Sequence, residues 1–104
     1  MNPTEKSGSF DYHRCADELR KSLTSLRTTA PDLIIEVKES DYPTINVLIE
    51  SSQFLGQLTI WGPGMYAMNV IDVATGKETI EPDTTLTGDG IYRIREFLSY
   101  FTPS

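Results

Sequence analysis

An α+β fold, with an antiparallel meander of four to five strands packed in two layers against an N-terminal and a C-terminal helix, is what this sequence predicts. Three observations predict it. Apolar residues recur at helical spacing near the start of the chain and again near its end. Between those stretches the composition turns to Ile, Val, Leu, Thr and aromatics, broken at short intervals by turn residues. The breaks are too short for the crossovers that parallel strands need, so neighbouring strands run antiparallel.

The first helix is expected from about Asp11 to Arg27. Tyr12, Cys15, Ala16, Leu19, Leu23 and Leu26 are spaced by three and four and form one stripe. The β-branched pair Thr28 and Thr29, followed by Pro31, is expected to end it. Strands are expected at Leu33 to Glu39, Ile45 to Glu50, Phe54 to Trp61 and Met65 to Val73. A short fifth strand, Thr79 to Glu81, is expected to stop at Pro82. Alternation is cleanest in the second strand, where Ile45, Val47 and Ile49 oppose Asn46, Leu48 and Glu50. The fourth strand carries apolar residues at both parities, so its buried side stays open. Ile91, Ile94, Leu98 and Phe101 then return to helical spacing, with Asp89 as the expected N-cap. Two amphipathic helices and a half-apolar sheet bury each other in two layers. Residues 1–9 are polar and read as a flexible leader, which leaves residues 10–104 as a single domain.

Charge narrows the function. Fifteen carboxylates stand against nine Lys and Arg, a net charge of −6 in 104 residues. Phosphate backbones need a basic surface, so nucleic acid is not expected as a direct ligand. An anionic membrane surface is disfavoured for the same reason. A basic protein partner fits. The one cysteine, Cys15, cannot form an intrachain disulfide. The first residues hold no apolar signal segment, and the cytoplasm is the expected location.

The inventory for catalysis is thin, and no enzymatic activity is expected. His13 and Cys15 are two residues apart on a helix, so they face different directions and make a poor nucleophile and base. One His and one Cys cannot supply a zinc set, and no metal or cofactor is expected. Trp61-Gly62-Pro63-Gly64 lacks the Lys and the following helix of a phosphate loop and reads as a hairpin turn. The surface is more informative. One face of the sheet is expected to carry Ile34, Leu48, Leu55 and Trp61 among Glu36, Lys38, Glu50 and Gln57. A mixed aromatic, aliphatic and acidic face suits a protein interface, with either a foreign partner or a second copy of the chain.

A resemblance gives that interface a purpose. The strand Gly56-Gln57-Leu58-Thr59-Ile60-Trp61, the hairpin stretch Val70-Ile71-Asp72-Val73-Ala74-Thr75-Gly76 and the closing helix with Ile94-Arg95-Glu96-Phe97-Leu98 resemble the small bacterial immunity proteins of contact-dependent growth inhibition systems. The similarity is to the TriTu immunity group. It implies an antitoxin that binds the toxic C-terminal domain of a cognate effector. Such toxins include nucleases that cleave transfer RNA and associate with elongation factor Tu, which would then be met only through the toxin. Under this reading Glu36, Glu50 and Asp72 would meet toxin Lys and Arg, and Trp61 would be the packed anchor. Glu39 and Asp41, in the acidic loop, are the next docking candidates. The alternative is a non-catalytic adaptor or subunit that homodimerises through its sheet face.

Overall fold

The computed structural model describes residues 10–102, except 87 and 89 and the side chains of 81–84. The leader expected over residues 1–9 lies outside them. The first helix, α1, spans Tyr12–Thr29. Asp11 caps it, its carboxylate accepting the Arg14 N–H at 3.1 Å. Cys15, Ala16, Leu19, Leu23 and Leu26 are all buried, as the apolar stripe requires. The helix runs on through Thr28 and Thr29, which were expected to end it. Their hydroxyls donate to the carbonyls of Thr24 and Ser25, and this back-bonding suits a β-branched residue to a helical turn. The break comes at Ala30, ahead of Pro31.

Five antiparallel strands follow: β1 (Ile34–Ser40), β2 (Thr44–Glu50), β3 (Phe54–Trp61), β4 (Met65–Asp72) and β5 (Glu78–Thr85). They pair in chain order, so the sheet is a plain meander with β1 and β5 at its edges. The fifth strand does not stop at Glu81 but continues through Pro82 to Thr85. Two features of the structure permit this. The strand is an edge, where a residue without an N–H costs little. Its register against β4 also shifts: Met68 faces Glu81 and Tyr66 faces Thr84, so Pro82 and Asp83 fall in a bulge.

The closing helix, α2 (Ile91–Leu98), begins at Gly90, which holds the N-cap position with φ +65° and no side-chain cap. The cap expected from Asp89 is therefore not the one used; Asp89 itself lies outside the described residues. Gly90 fits because the left-handed region favours glycine and because Phe10 and Cys15 crowd the place of a Cβ. Both helices lie on one side of the sheet. Between the layers sit Ile45, Val47, Ile49, Leu58, Ile60, Tyr66, Met68 and Val70 from the strands and Leu19, Leu23, Ile94 and Phe97 from the helices, all in one cluster. Gly56 makes the closest approach. A Cβ there would lie 2.7 Å from the Phe101 ring and 3.0 Å from that of Phe97. The missing side chain lets the aromatic end of α2 rest on the sheet, where Phe54, Phe97 and Phe101 meet edge to face or tilted.

Candidate functional site

Alternation along the strands fixes what the other side of the sheet presents. The register aligns it in rows across neighbouring strands. One row reads Ile34, Glu50, Leu55, Ile71, Glu78, and the next reads Glu36, Leu48, Gln57, Asn69, Ile80. A third holds Lys38, Asn46, Thr59 and Ala67, and a fourth Ser40, Thr44, Trp61, Met65 and Thr85. The fourth strand, ambiguous in sequence, is thereby settled: Tyr66, Met68 and Val70 face the helices and Met65, Ala67, Asn69 and Ile71 face away.

This second face is left open by both helices. Ile34 is 64% exposed, Ile80 56% and Leu55 41%. Polar groups between them are tied within the sheet: Asn46 donates to the Thr59 hydroxyl at 2.6 Å and Asn69 to the Glu78 carboxylate at 2.5 Å. Those bonds fix Asn46, Thr59, Asn69 and Glu78 across strands. A shallow depression lies at the centre, over Leu48, Leu55, Gln57, Asn69 and Ile71. At the end of the sheet a cleft of about 200 Å³ is walled by Tyr42, Trp61, Pro63 and Met65. Two turns build that cleft. The Gly62 N–H donates to the Pro43 carbonyl at 2.6 Å, and any Cβ on Gly62 would strike the Pro43 ring. Among the described side chains of the face, Glu36, Glu50 and Glu78 outnumber the single cation, Lys38, so the face is apolar with an acidic cast.

The six residues singled out from sequence separate into two groups. Glu36, Glu50 and Trp61 lie on this open face, with Asp41 exposed in the β1–β2 turn beside Tyr42. Glu39 and Asp72 do not join them. Glu39 has the parity of Ile35 and Val37 and reaches α1, where Arg20 grips both carboxylate oxygens at 2.6 and 3.1 Å. The Arg20 guanidinium holds the Glu39 carboxyl below its ordinary range, and Arg20 is itself raised. Burial raises the neighbouring Tyr12 phenol, and the Glu39 charge adds to it. Asp72 has the parity of Val70 and serves the β4–β5 turn, its Oδ1 accepting the N–H groups of Ala74 and Thr75 at 3.0 and 3.2 Å. Met65, Ile71, Glu78 and Ile80 belong to the face but were not singled out. Apolar residues at both parities hid Met65 and Ile71 in the sequence, and Glu78 lies one residue ahead of the fifth strand expected from Thr79.

Other parts of the molecule offer less. His13 is exposed while Cys15 is fully buried in the core, so the two are not brought together. A groove of about 670 Å³ lies between α1 and α2, over Lys21, Ser25, Leu26, Arg95 and Leu98. The hydroxyls of Thr29, Ser99 and Thr102 along it are already donated to helix carbonyls. Among the described residues no three His, Cys, Asp or Glu gather as a metal set, and no helix is long and apolar enough to cross a membrane.

The open sheet face exposes apolar and acidic side chains together. A family model described as Immunity protein TriTu matches residues 6–101, from before α1 to beyond α2. The chain belongs to the TriTu immunity protein family. No curated protein and no solved structure matches it. Membership in the TriTu family gives the chain an immunity role, that of a non-enzymatic inhibitor that binds a cognate toxin. The likeness read from the β3 strand, the β4 hairpin and α2 thus extends over almost the whole chain.

Proposed function

We propose that this TriTu immunity protein neutralises the C-terminal nuclease domain of a contact-dependent growth inhibition effector, in the cytoplasm, by docking it on the open face of the sheet. The toxin would be a basic domain directed at transfer RNA, and elongation factor Tu would join only through the toxin. The observation that carries this reading is the open face itself: Ile34, Leu55, Ile80 and the Tyr42–Trp61–Met65 cleft stand exposed among Glu36, Glu50 and Glu78. Exposed aliphatic and aromatic groups supply packed contacts once water is excluded. The carboxylates steer a basic domain during approach, as the charge of −6 does for the whole chain.

Rapid-mixing kinetics with the toxin domain of the effector encoded beside the gene test this. Association should slow as salt rises. The double reversal of Glu50→Lys and Glu78→Lys should slow it by about ten-fold, the scale of lost steering. An association rate indifferent to salt and to both reversals would move the docking surface elsewhere. A toxin domain that the protein neither binds nor neutralises would remove the antitoxin reading for that effector.

A further inference from the structure

The two edges of the sheet differ. β5 carries Pro82 and a bulge, so it cannot form an unbroken ladder with another strand. β1 has neither. Its seven residues pair with β2 without a register break, from Ile34 opposite Glu50 to Ser40 opposite Thr44. No other segment among the described residues pairs along its far side. Ile35 and Val37 are only half-buried there, at the margin of the core, and Ile34 stands in solvent.

Charges commonly keep such an edge from pairing, and β1 carries Glu36, Lys38 and Glu39. Their order, however, fits one partner. Antiparallel to a second β1 and centred on Val37, Glu36 of each strand lies opposite Lys38 of the other, Ile35 opposite Glu39, and Ile34 opposite Ser40. The neighbouring registers are less favourable. A slip of two residues sets Glu36 against Glu36 or Lys38 against Lys38, and like charges directly opposite repel. A slip of one turns every side chain to the wrong face. Within one chain Glu36 and Lys38 are 3.6 Å apart and both exposed, a contact too weak and solvated to compete with two cross-strand pairs.

We propose that two copies of the chain join β1 to β1 about a two-fold axis through Val37, forming one continuous ten-stranded sheet. The contact is isologous, each copy giving the same seven residues. It leaves the open face uncovered, and indeed lengthens it, so the inference does not rest on the toxin-binding reading and can be tested without a toxin.

Analytical ultracentrifugation of the purified chain over a concentration series should find a monomer–dimer equilibrium. Glu36→Lys should weaken the dimer by about ten-fold or more, because symmetry counts each lost pair and each new repulsion twice. Adding Lys38→Glu to that variant reverses both signs and should restore it. A covalent test reads geometry directly. Opposed residues in an antiparallel pair have Cα atoms about 4.5–5.5 Å apart, within disulfide range. Val37→Cys should therefore oxidise to a linked dimer. Ile35→Cys should not, since its mates would lie about 14 Å apart along the strands. The natural thiol, Cys15, is buried and serves as the unlinked control. A chain that stays monomeric throughout overturns the proposal. So does a dimer indifferent to Glu36→Lys, or one in which the two cysteine variants link equally.

Discussion

The two sides of the sheet are made by the same strands under opposite constraints. Toward the helices, Ile45, Val47, Ile49, Leu58, Ile60, Tyr66, Met68 and Val70 are shut in to a few per cent exposure, and glycine replaces a side chain where the Phe97 and Phe101 rings need room. Away from them, Ile34, Leu55, Met65 and Ile80 are as apolar but remain in water. The first set is explained by packing alone. The second is not, because a two-layer domain can stand with a wholly polar outer face. Apolar residues that the fold does not use, fixed in rows by strand register, point to a surface kept for a partner. A cognate toxin, which the family's immunity role implies, is the partner proposed for it.

Substitutions on the two sides should separate folding from binding. The largest effect belongs to the covered side. Phe97→Ala removes a fully buried ring from the junction of α2 with the sheet, and it should cost about 3–5 kcal/mol of stability. In a domain of this size that lowers Tm by about 12 °C or more in a thermal melt. Trp61→Ala, on the open side, should shift the melt less and act on the toxin complex instead. Its loss of about 2 kcal/mol, or about 30-fold, should fall on the dissociation rate, since a packed ring counts only after water has left. Equal effects of the two variants on melting would erase the distinction between the faces. The smallest effect lies at the border, where Glu39 has the covered side's parity but an exposed carboxylate. Its folded pKa is lowered by Arg20, so the pair stabilises the protein above the unfolded carboxylate value and fades as pH falls through the folded one. Both side chains are over two-fifths exposed, so Glu39→Gln should cost only about 0.2–1 kcal/mol at neutral pH. Urea midpoints for the variant and the parent should converge in acid, and a gap that widened there would reverse the sign of the coupling.

Much of this contrast is written in the chain. β2 alternates apolar with largely polar residues because one of its sides is buried and the other wet, and its sides could be assigned by counting. β4 could not, because its outer side holds Met65, Ala67 and Ile71 with only Asn69 polar; the two sides differ more in burial than in polarity. The end of α1 was hidden by Thr28 and Thr29, which stay helical with their hydroxyls bonded to carbonyls one turn back. The extent of β5 was hidden by Pro82, whose tolerance depends on edge position and a bulge, both properties of the assembled sheet. Of the candidate docking residues, Glu36, Glu50 and Trp61 share a face by parity alone. Glu39 has the opposite parity, toward α1, where it meets Arg20, a partner 19 residues earlier that only the packed helix brings near. Asp72 was drawn away by the turn it caps.

Pro82 and its bulge have a second consequence, for what happens when many copies crowd together. Fibre growth by strand addition needs two receptive margins on every molecule, one to join and one to be joined. Among the described residues the sheet has a single receptive margin, β1, and the β5 side offers an interrupted row of backbone groups. Once two copies have met along β1, no uninterrupted edge is left for a third. An immunity protein built this way can therefore accumulate with its apolar rows exposed and still be guarded against polymerising through its strands.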